Sequence, residues 1–287
     1  MWVSVQISSV IRALCLVGAL IGAPFIALSR DAPSRVVSMN LCMDQLAMLL
    51  AGEGQLLSVS EVASDPLSSA MVEAAAAYKR NHGLAEEIYL MQPDLVIAGS
   101  YTARATVDML RRLNIPVAVF DPAYSLTDVT VRLREVGDVL GQQKRAAAMI
   151  ADFDAQLAAF QTEVKNRPRA ALYYANGYTS GDKTLAGQIL ATAGLANIAA
   201  EQGFSDGGII PLEVLAMALP DAVITSRPYS GASRSEEVTA HPVIEFLRRS
   251  ISDGAMTDHD WVCGTPFVLR AIDAMAGLRR ELQEVRP

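Results

Sequence analysis

The order of apolar and polar positions along the chain predicts short strands that alternate with amphipathic helices. Each run rich in β-branched residues is followed by a stretch with apolar residues at helical spacing. The predicted strands cover Arg35 to Met39, Leu56 to Ser60, Asp94 to Ala98, Pro116 to Phe120, Arg169 to Ala175, Asp221 to Thr225 and Gly254 to Thr257. Such alternation is typical of parallel sheets covered by helices, so we predict an α/β fold with two parallel-sheet lobes.

One long helix is expected between the two lobes. Gln143 to Lys165 has apolar residues at helical spacing and contains no Gly or Pro, and Pro168 follows it. We interpret this segment as a rigid connector. The predicted organisation is therefore an N-terminal α/β lobe at 35–142, a connecting helix at 143–167 and a C-terminal α/β lobe at 168–287, with a ligand cleft between the lobes and a last helix over Pro266 to Leu282.

An internal repeat supports two units. Glu86 to Ile97 and Glu213 to Ile224 align at an offset of 127 residues, with Glu, Pro, Asp, Val and Ile at matching places. Each copy reads as a short helix, a Pro-Asp break and a buried strand. Any helix, Pro-Asp and strand unit would give a similar pattern, so the repeat alone leaves its meaning open.

The N-terminus has the pattern of an export signal. Ala13 to Ser29 is an uncharged, largely apolar run preceded by Arg12, and Ala27 and Ser29 supply the small residues of a cleavage site. We predict a signal peptide at 1–29 and a periplasmic mature protein. A retained membrane anchor is the alternative.

Composition excludes some functions. The chain has 287 residues, a formal net charge of −7 and no block of Lys and Arg, which argues against nucleic-acid binding. It has three histidines, in no metal-binding spacing, and it lacks the G-x-S-x-G and H-E-x-x-H motifs. We expect neither an enzyme nor a resident cofactor. The alternative is a chelate-processing enzyme of the same two-lobe design, with His82 or His259 as a base.

The loops that follow the predicted strands should line the cleft, because ligands of open α/β sheets bind beyond the carboxyl ends of the strands. Their Tyr, Trp, Arg and Asn side chains suit a large, partly planar and partly polar ligand. Since the chain is poor in His, a metal that is already chelated is a better ligand than a bare ion. The predicted ligand-binding residues are Asn40, Cys42, His82, Tyr101, Arg104, Tyr124, Tyr178, Arg227, Tyr229, Asp260, Trp261 and Cys263.

Three of these residues carry open alternatives. His82 is either a turn residue or an axial ligand for a haem or corrin. Cys42 and Cys263 each follow a predicted strand in opposite lobes. They are buried thiols, a disulfide between the lobes or a metal-contacting pair.

Several motifs then resemble one family. They are Arg35-Val-Val-Ser-Met-Asn, Gln92-Pro-Asp-Leu-Val-Ile, Arg111-Arg-Leu-Asn-Ile-Pro-Val, Tyr178-Thr-Ser-Gly, Gly194-Leu-Ala-Asn-Ile, Leu212-Glu-Val-Leu, Pro220-Asp-Ala-Val-Ile and Asp260-Trp. In this order they resemble the substrate-binding proteins of ABC importers for iron-siderophores, haem and cobalamin, and those of the second lobe look like the cobalamin-binding member. The loops at Asn40-Leu41-Cys42 and at Trp261-Val262-Cys263-Gly264 depart from that member's pattern.

The resemblance implies a carrier that captures a metal chelate, either a ferric siderophore or a corrinoid, and delivers it to the membrane subunits of an ABC importer. It further implies that Glu86 and Glu213 are the carboxylates that dock onto arginines of those subunits. We expect the carrier to be a monomer. The alternatives are a haem carrier and a membrane-anchored sensor of the same ligand.

Overall fold

Two parallel sheets carry the fold, and helices cover them. The computed structural model describes residues 32–160, 164–227, 233–249 and 258–285. The predicted signal peptide, the strand predicted over Gly254 to Thr257 and the predicted ligand contact Tyr229 lie outside the described residues. None of the helices in this part of the chain has the length and hydrophobicity of a membrane span.

The strands of the described residues form a five-stranded, a three-stranded and a two-stranded sheet. Sheet A has the order β3-β2-β1-β4-β5 and sheet B the order β10-β6-β8, and both are parallel; β7 and β9 form an antiparallel pair. The strands are β1 (Val36–Ser38), β2 (Leu56–Ser60), β3 (Lys79–Asn81), β4 (Leu95–Gly99), β5 (Val117–Phe120), β6 (Arg169–Leu172), β7 (Tyr178–Thr179), β8 (Ala196–Asn197), β9 (Gly208–Ile209) and β10 (Ala222–Ile224).

Helices connect the strands, as parallel pairing requires. They are α1 (Leu41–Leu50), α2 (Val72–Ala75), α3 (Ala85–Leu90), α4 (Arg104–Arg112), α5 (Leu126–Val139), α6 (Gln143–Ala159), α7 (Leu185–Thr192), α8 (Ile198–Glu201), α9 (Leu212–Ala218), α10 (Pro242–Arg249), α11 (Asp258–Trp261) and α12 (Val268–Val285).

Alternation along the strands divides the core of sheet A between its two faces. Val36 of β1 belongs to the main core, whereas its neighbour Val37 packs in a second cluster with Ile88 of α3 and Leu110 of α4. Successive strand side chains point to opposite faces, and both faces are covered by helices. This is why β1 is buried throughout rather than alternately.

The main core extends from one sheet to the other. Leu46 of α1 and Phe153 of α6 belong to the same cluster of buried residues as Ile189 of α7 and Ile272 of α12. One continuous apolar core therefore lies under both sheets, and it resists their separation because opening it would expose apolar surface.

Six observed strands, β1, β2, β4, β5, β6 and β10, correspond to predicted strands and differ from them mainly at their ends, whereas β3, β7, β8 and β9 were not predicted. β2 has the predicted bounds, but β6 ends at Leu172, and the chain then turns through a 3-10 helix at Ala175–Gly177 in which Asn176 has a φ of 57°. The helix predicted over Gln143 to Lys165 is observed over Gln143–Ala159. The division into two lobes at the predicted boundaries stays a prediction.

A disulfide bond joins the two halves of the chain. Cys42, in the first turn of α1, is bonded to Cys263, which lies between α11 and α12, and their Cα atoms are 4.8 Å apart. The two residues are separated by 221 positions in the sequence. The bond settles the alternatives that the sequence left open for these cysteines, and it joins the start of sheet A to the C-terminal helices.

We predict that this bond contributes substantially to stability, because it closes a very long loop in the unfolded chain. The double variant Cys42→Ala/Cys263→Ala should lose about 2–4 kcal/mol of unfolding free energy. Urea titrations with and without dithiothreitol measure this. Dithiothreitol should destabilise the wild type and leave the double variant unchanged, whereas equal effects on both proteins would contradict the prediction.

Candidate functional site

A seam of direct contacts joins the carboxyl ends of strands in sheet A to segments on the sheet B side. We use the word seam for the Cys42–Cys263 bond together with three further pairs, which are Gln45 with Thr265, Ala123 with Gly264, and Leu126 with Gln188. Gln45 is fully buried, and its Oε1 accepts a hydrogen bond of 3.1 Å from the Thr265 hydroxyl. The Leu126 amide donates to Gln188 Oε1 at 2.9 Å.

Close packing at the seam explains one glycine. Gly264 follows Cys263, has a φ of +56° and lies so near Ala123 that a Cβ at this position would be 2.3 Å from the Ala123 Cβ. Only a residue without a side chain fits there. Because Ala123 follows β5, the carboxyl end of β5 lies against the loop that carries Cys263 and follows Trp261 of α11.

An aromatic pair lies beside the seam on the sheet B side. Tyr174, just after β6, stacks on Trp261 with ring centroids 5.6 Å apart and an interplanar angle of 24°. Trp261 Nε1 is buried and has no hydrogen-bond partner among the described residues. A buried donor of this kind favours a partner from a ligand or from water.

A second aromatic pair follows the strands of sheet A. Tyr101 comes after β4 and Tyr124 after β5, and their hydroxyl oxygens are 3.2 Å apart. The two residues are 81% and 56% exposed, so both are accessible to a ligand. The hydrogen bond with Tyr101 raises the pKa of Tyr124 above its ordinary value, so this phenol is neutral at physiological pH.

Asn40 connects the start of α1 to the loop that follows β4. Its side chain caps α1 by accepting from the Met43 amide at 2.9 Å, and its Nδ2 contacts Thr102 Oγ1 at 3.3 Å. A Cβ at position 99 would lie 2.2 Å from Asn40 Nδ2, so Gly99 permits this approach. Asn40 therefore ties the end of β1 to the Tyr101 loop.

A buried carboxylate supports the same region. Asp44 is fully buried and accepts hydrogen bonds from the Ser60 amide at 3.1 Å and from the Ser60 hydroxyl. Burial raises the pKa of Asp44 to about 6, although the hydroxyls of Ser38 and Ser60 and the Ser60 amide oppose the rise. Asp44 thus links α1 to the end of β2, two residues from Cys42.

Four other predicted ligand contacts differ in exposure. Arg104 and Arg227 are exposed, at the start of α4 and after β10, and Tyr178 is exposed in β7. Asp260 is nearly buried, and its Oδ1 lies 3.4 Å from Arg270 Nη1. Asp260 therefore anchors the short helix that carries Trp261 and offers little surface to a ligand.

His82 lies away from the seam. It follows β3, an edge strand of sheet A, whereas the two exposed tyrosines follow β4 and β5 at the other edge. Its ring nitrogens lie 3.3 Å from Glu61 and 3.4 Å from Glu87, and the side chain is exposed. The structure thus gives His82 two carboxylate neighbours and does not place it with the aromatic residues.

The predicted docking residues lie in two copies of one structural unit. Glu86 is in the first turn of α3 and Glu213 in the first turn of α9, and both are exposed. α3 leads through Gln-Pro-Asp into β4, and α9 leads through Leu-Pro-Asp into β10. These strands pair with β1 and β6 in equivalent registers.

Hydrogen bonds repeat the unit in detail. Arg35 Nη2 donates to the Met91 carbonyl at 2.6 Å, and Arg169 Nη1 donates to the Ala218 carbonyl at 2.8 Å, so each arginine caps the C-terminal end of its helix.

The acidic residue of each Pro-Asp pair is matched in the same way. The Asp94 carboxylate accepts from the Arg35 amide at 2.9 Å, and the Asp221 carboxylate accepts from the Arg169 amide at 2.7 Å. The internal repeat is therefore structural and extends beyond the helix, Pro-Asp and strand pattern.

Sequence reasoning missed the residues that hold these parts in place. Thr102, Gln45 and Thr265 carried no signal, because their partners are distant in sequence. Extending the internal repeat upstream at its offset of 127 would not have found Arg35 and Arg169, because these two residues are 134 positions apart. They correspond only through strand pairing, since each stands one residue before the partner of the first residue of the repeated strand.

Comparison with known proteins gives the family. The family model of the periplasmic binding protein matches residues 36–248. The cobalamin-binding protein of Halobacterium salinarum is 28% identical over 198 residues, which are 67% of this chain and 54% of that protein. The chain therefore spans about half the length of the curated relatives it matches.

Solved structures share the fold. The periplasmic haem-binding protein from Roseiflexus sp. RS-1 aligns with a TM-score of 0.66 and 22% identity, over 88% of this chain and 98% of its own. The periplasmic vitamin B12-binding protein of Vibrio cholerae aligns with a TM-score of 0.64 and 17% identity, over 88% and 99% of the two chains. These are two-lobed proteins, in agreement with the predicted α/β fold class.

The buried Asp44 predicts a specific pH dependence. Its pKa is raised in the folded state, so the native protein must ionise a buried carboxyl as the pH rises from about 4 to above 6, and stability falls over this window. A rise of about two in the pKa of this carboxyl corresponds to a loss of roughly 3 kcal/mol in the free energy of unfolding. Urea titrations between pH 4 and pH 7 should show a steeper loss in the wild type than in Asp44→Asn, and parallel curves would contradict the assignment.

Proposed function

Because this chain belongs to the periplasmic binding protein family, we propose that it captures a metal chelate, a ferric siderophore or a corrinoid, and delivers it to an ABC importer. The proposal includes export by the N-terminal segment 1–29 and binding without turnover.

The aromatic cleft carries this proposal. The exposed pair Tyr101 and Tyr124 follows strands of sheet A, and the stacked pair Tyr174 and Trp261 lies on the sheet B side, with the seam between them. Aromatic faces supply contact area to a large, partly planar ligand, and the phenols and indole N–H supply hydrogen bonds.

The polar groups next to these aromatic rings suit the polar edge of such a ligand. Neutral phenols donate hydrogen bonds to amide, carboxylate or hydroxamate oxygens, and the exposed Arg104 follows Tyr101 by three positions and adds a cation. The name of the Halobacterium salinarum relative favours a corrinoid among the chelates.

A haem carrier is the second candidate. Tyr is among the side chains that hold haem iron, and the exposed hydroxyls of Tyr101 and Tyr124 are accessible to a metal centre. The raised pKa of Tyr124 disfavours a phenolate in the absence of such a metal. Ligand titration separates the two candidates.

The seam supports capture with little closure. A disulfide, a buried hydrogen bond and a continuous core join the two sheets, so wide opening around a hinge would break many contacts at once. We therefore infer that the cleft is largely preformed and that the bound chelate immobilises few side chains.

Delivery would use the two acidic residues. Glu86 and Glu213 are exposed at equivalent places of the repeated unit, which suits two arginines of a two-fold symmetric membrane partner. Neither carboxylate has a hydrogen bond or ion pair among the described residues, so both are available to a partner.

Binding of a chelate is the first prediction from this function. Trp261 is the only tryptophan apart from Trp2, so its fluorescence in a protein lacking the leader reports on the cleft. We expect quenching by one of cyanocobalamin, haemin, and ferric hydroxamate or catecholate siderophores. Tyr101→Ala and Tyr124→Ala should each weaken this binding by about tenfold, because truncating an aromatic anchor typically costs more than 1 kcal/mol.

Tyr89 provides the control. It is exposed and lies in α3, before β4, rather than in a loop that follows a strand. Tyr89→Ala should bind as the wild type does. Absence of binding to every chelate would contradict the proposed function. Chemical conversion of a chelate by the purified protein would also contradict it and would favour a chelate-processing enzyme.

Docking gives a separate prediction. Glu86→Arg/Glu213→Arg should abolish chelate uptake by reconstituted importer, since like charges would face each other, while the dissociation constant for the chelate stays unchanged. The matched control is Glu53→Arg/Glu237→Arg, which reverses two exposed carboxylates outside the repeated unit. Loss of chelate binding in the first variant, or equal uptake by both variants, would exclude the docking role.

A further inference from the structure

The repeated unit contains a second feature besides its glutamate. Leu90 follows Glu86 by four positions, and Met217 follows Glu213 by four positions. These apolar side chains are 80% and 82% exposed, and neither belongs to any of the buried clusters. The same exposed apolar position therefore occurs in both copies of the unit.

Helical spacing places each glutamate beside its apolar neighbour. Residues four apart lie on the same face of a helix, one turn from each other. α3 holds Glu86 and Leu90, and α9 holds Glu213 and Met217. Each helix thus presents a carboxylate and an apolar side chain together on one exposed face.

Both helices also end in the same uncommon way. Gln92 has a φ of 50° and Leu219 a φ of 46°, at equivalent places of the repeat, although neither is a glycine. Left-handed conformations cost free energy for side chains of this size, and they often occur at functional sites.

Together with the arginine caps, this shared turn sets α3 and α9 in the same way against their strands. The two exposed faces therefore have the same geometry relative to β4 and β10, and a partner with matching sites would meet the same arrangement twice.

Chance exposure explains this arrangement poorly. Single exposed apolar residues are ordinary on protein surfaces. Here, however, two of the most exposed large apolar side chains of the described residues fall at one position of a two-copy unit, beside the two exposed carboxylates. A carboxylate next to an apolar side chain is complementary to a cation next to an apolar recess.

We propose that Leu90 and Met217 are contact residues for the importer, and that each forms a docking point with its glutamate, Glu86 or Glu213. The partner is a pair of identical membrane subunits, each of which offers one cationic side chain beside one apolar recess. Two equal docking points on one chain match two copies of one subunit. This inference rests on the proposed function and extends its docking surface.

Photo-crosslinking tests which partner occupies these positions. A benzoylphenylalanine is placed at position 90, at position 217 or, as a control, at the exposed Met109 of α4, and the protein is illuminated in cells of its native host. Positions 90 and 217 should crosslink to the same polypeptide, identified by mass spectrometry as a multi-spanning importer subunit, and position 109 should not. Crosslinks to a second copy of this chain, to lipid, to two different polypeptides or to nothing would overturn the proposal.

Substitution measures the contribution of the apolar contacts. Leu90→Gln/Met217→Gln should weaken binding to the importer in proteoliposomes by at least about tenfold, because truncated interface anchors commonly cost this much. The unfolding midpoint and the chelate affinity should stay those of the wild type, since both side chains are exposed. Met109→Gln, the matched control, should bind the importer normally.

The outcomes separate this inference from the proposed function. If Glu86→Arg/Glu213→Arg abolishes importer binding but Leu90→Gln/Met217→Gln does not, the apolar contacts are refuted and the carrier function stands. If the purified protein binds no chelate, the proposed function fails whatever the crosslinks show.

Discussion

The covalent and packed seam between the two sheets is the constraint on which the ligand cleft depends. Cys42 and Cys263 are bonded across 221 positions of sequence, and Gln45 and Thr265 form a buried hydrogen bond beside them. These contacts fix the loop that follows Trp261 of α11 against the carboxyl ends of the sheet A strands. The proposed function therefore includes a ligand site that is formed before the ligand arrives, so that little binding free energy is spent on ordering it. It also includes release by small displacements around a fixed seam rather than by wide separation of the sheets.

The second organising feature is the repeated unit in which an arginine, a short helix, a Pro-Asp turn and a strand recur. Its arginine caps the helix and its aspartate accepts from the amide of the same arginine, in both copies. Because these bonds fix the helix relative to the sheet, the exposed carboxylates Glu86 and Glu213 stand in the same relation to their strands. Under the proposed function, capture and docking use different parts of the fold: the seam supports the ligand site, and the repeated unit presents the surface for a partner.

Sequence patterns predicted the central strands of sheet A and two strands of sheet B, because buried parallel strands are continuous apolar runs, as at Leu56–Ser60. They missed β3, whose sequence is Lys-Arg-Asn, and the two-residue strands β7, β8 and β9. They located the aromatic loops, because such loops follow the strands. They could not establish that Cys42 and Cys263 pair, since pairing depends on the packing of segments far apart in the chain. For the same reason they could not show that His82, which follows β3, is separated by the strand order from the tyrosines that follow β4 and β5. The role of His82 as a ligand contact stays a prediction. Strand order in a parallel sheet depends on long-range packing, so the local periodicity of the sequence does not predict it.

Identification of the ligand that the protein carries in its own host tests the central claim most directly. The protein would be purified without denaturation from its native cells and analysed by native mass spectrometry, with elemental detection of iron and cobalt. The account predicts one bound molecule per chain, with the mass of a chelate and one equivalent of iron or cobalt. A bound ligand that contains no metal, such as a sugar, a peptide or an amino acid, would contradict it.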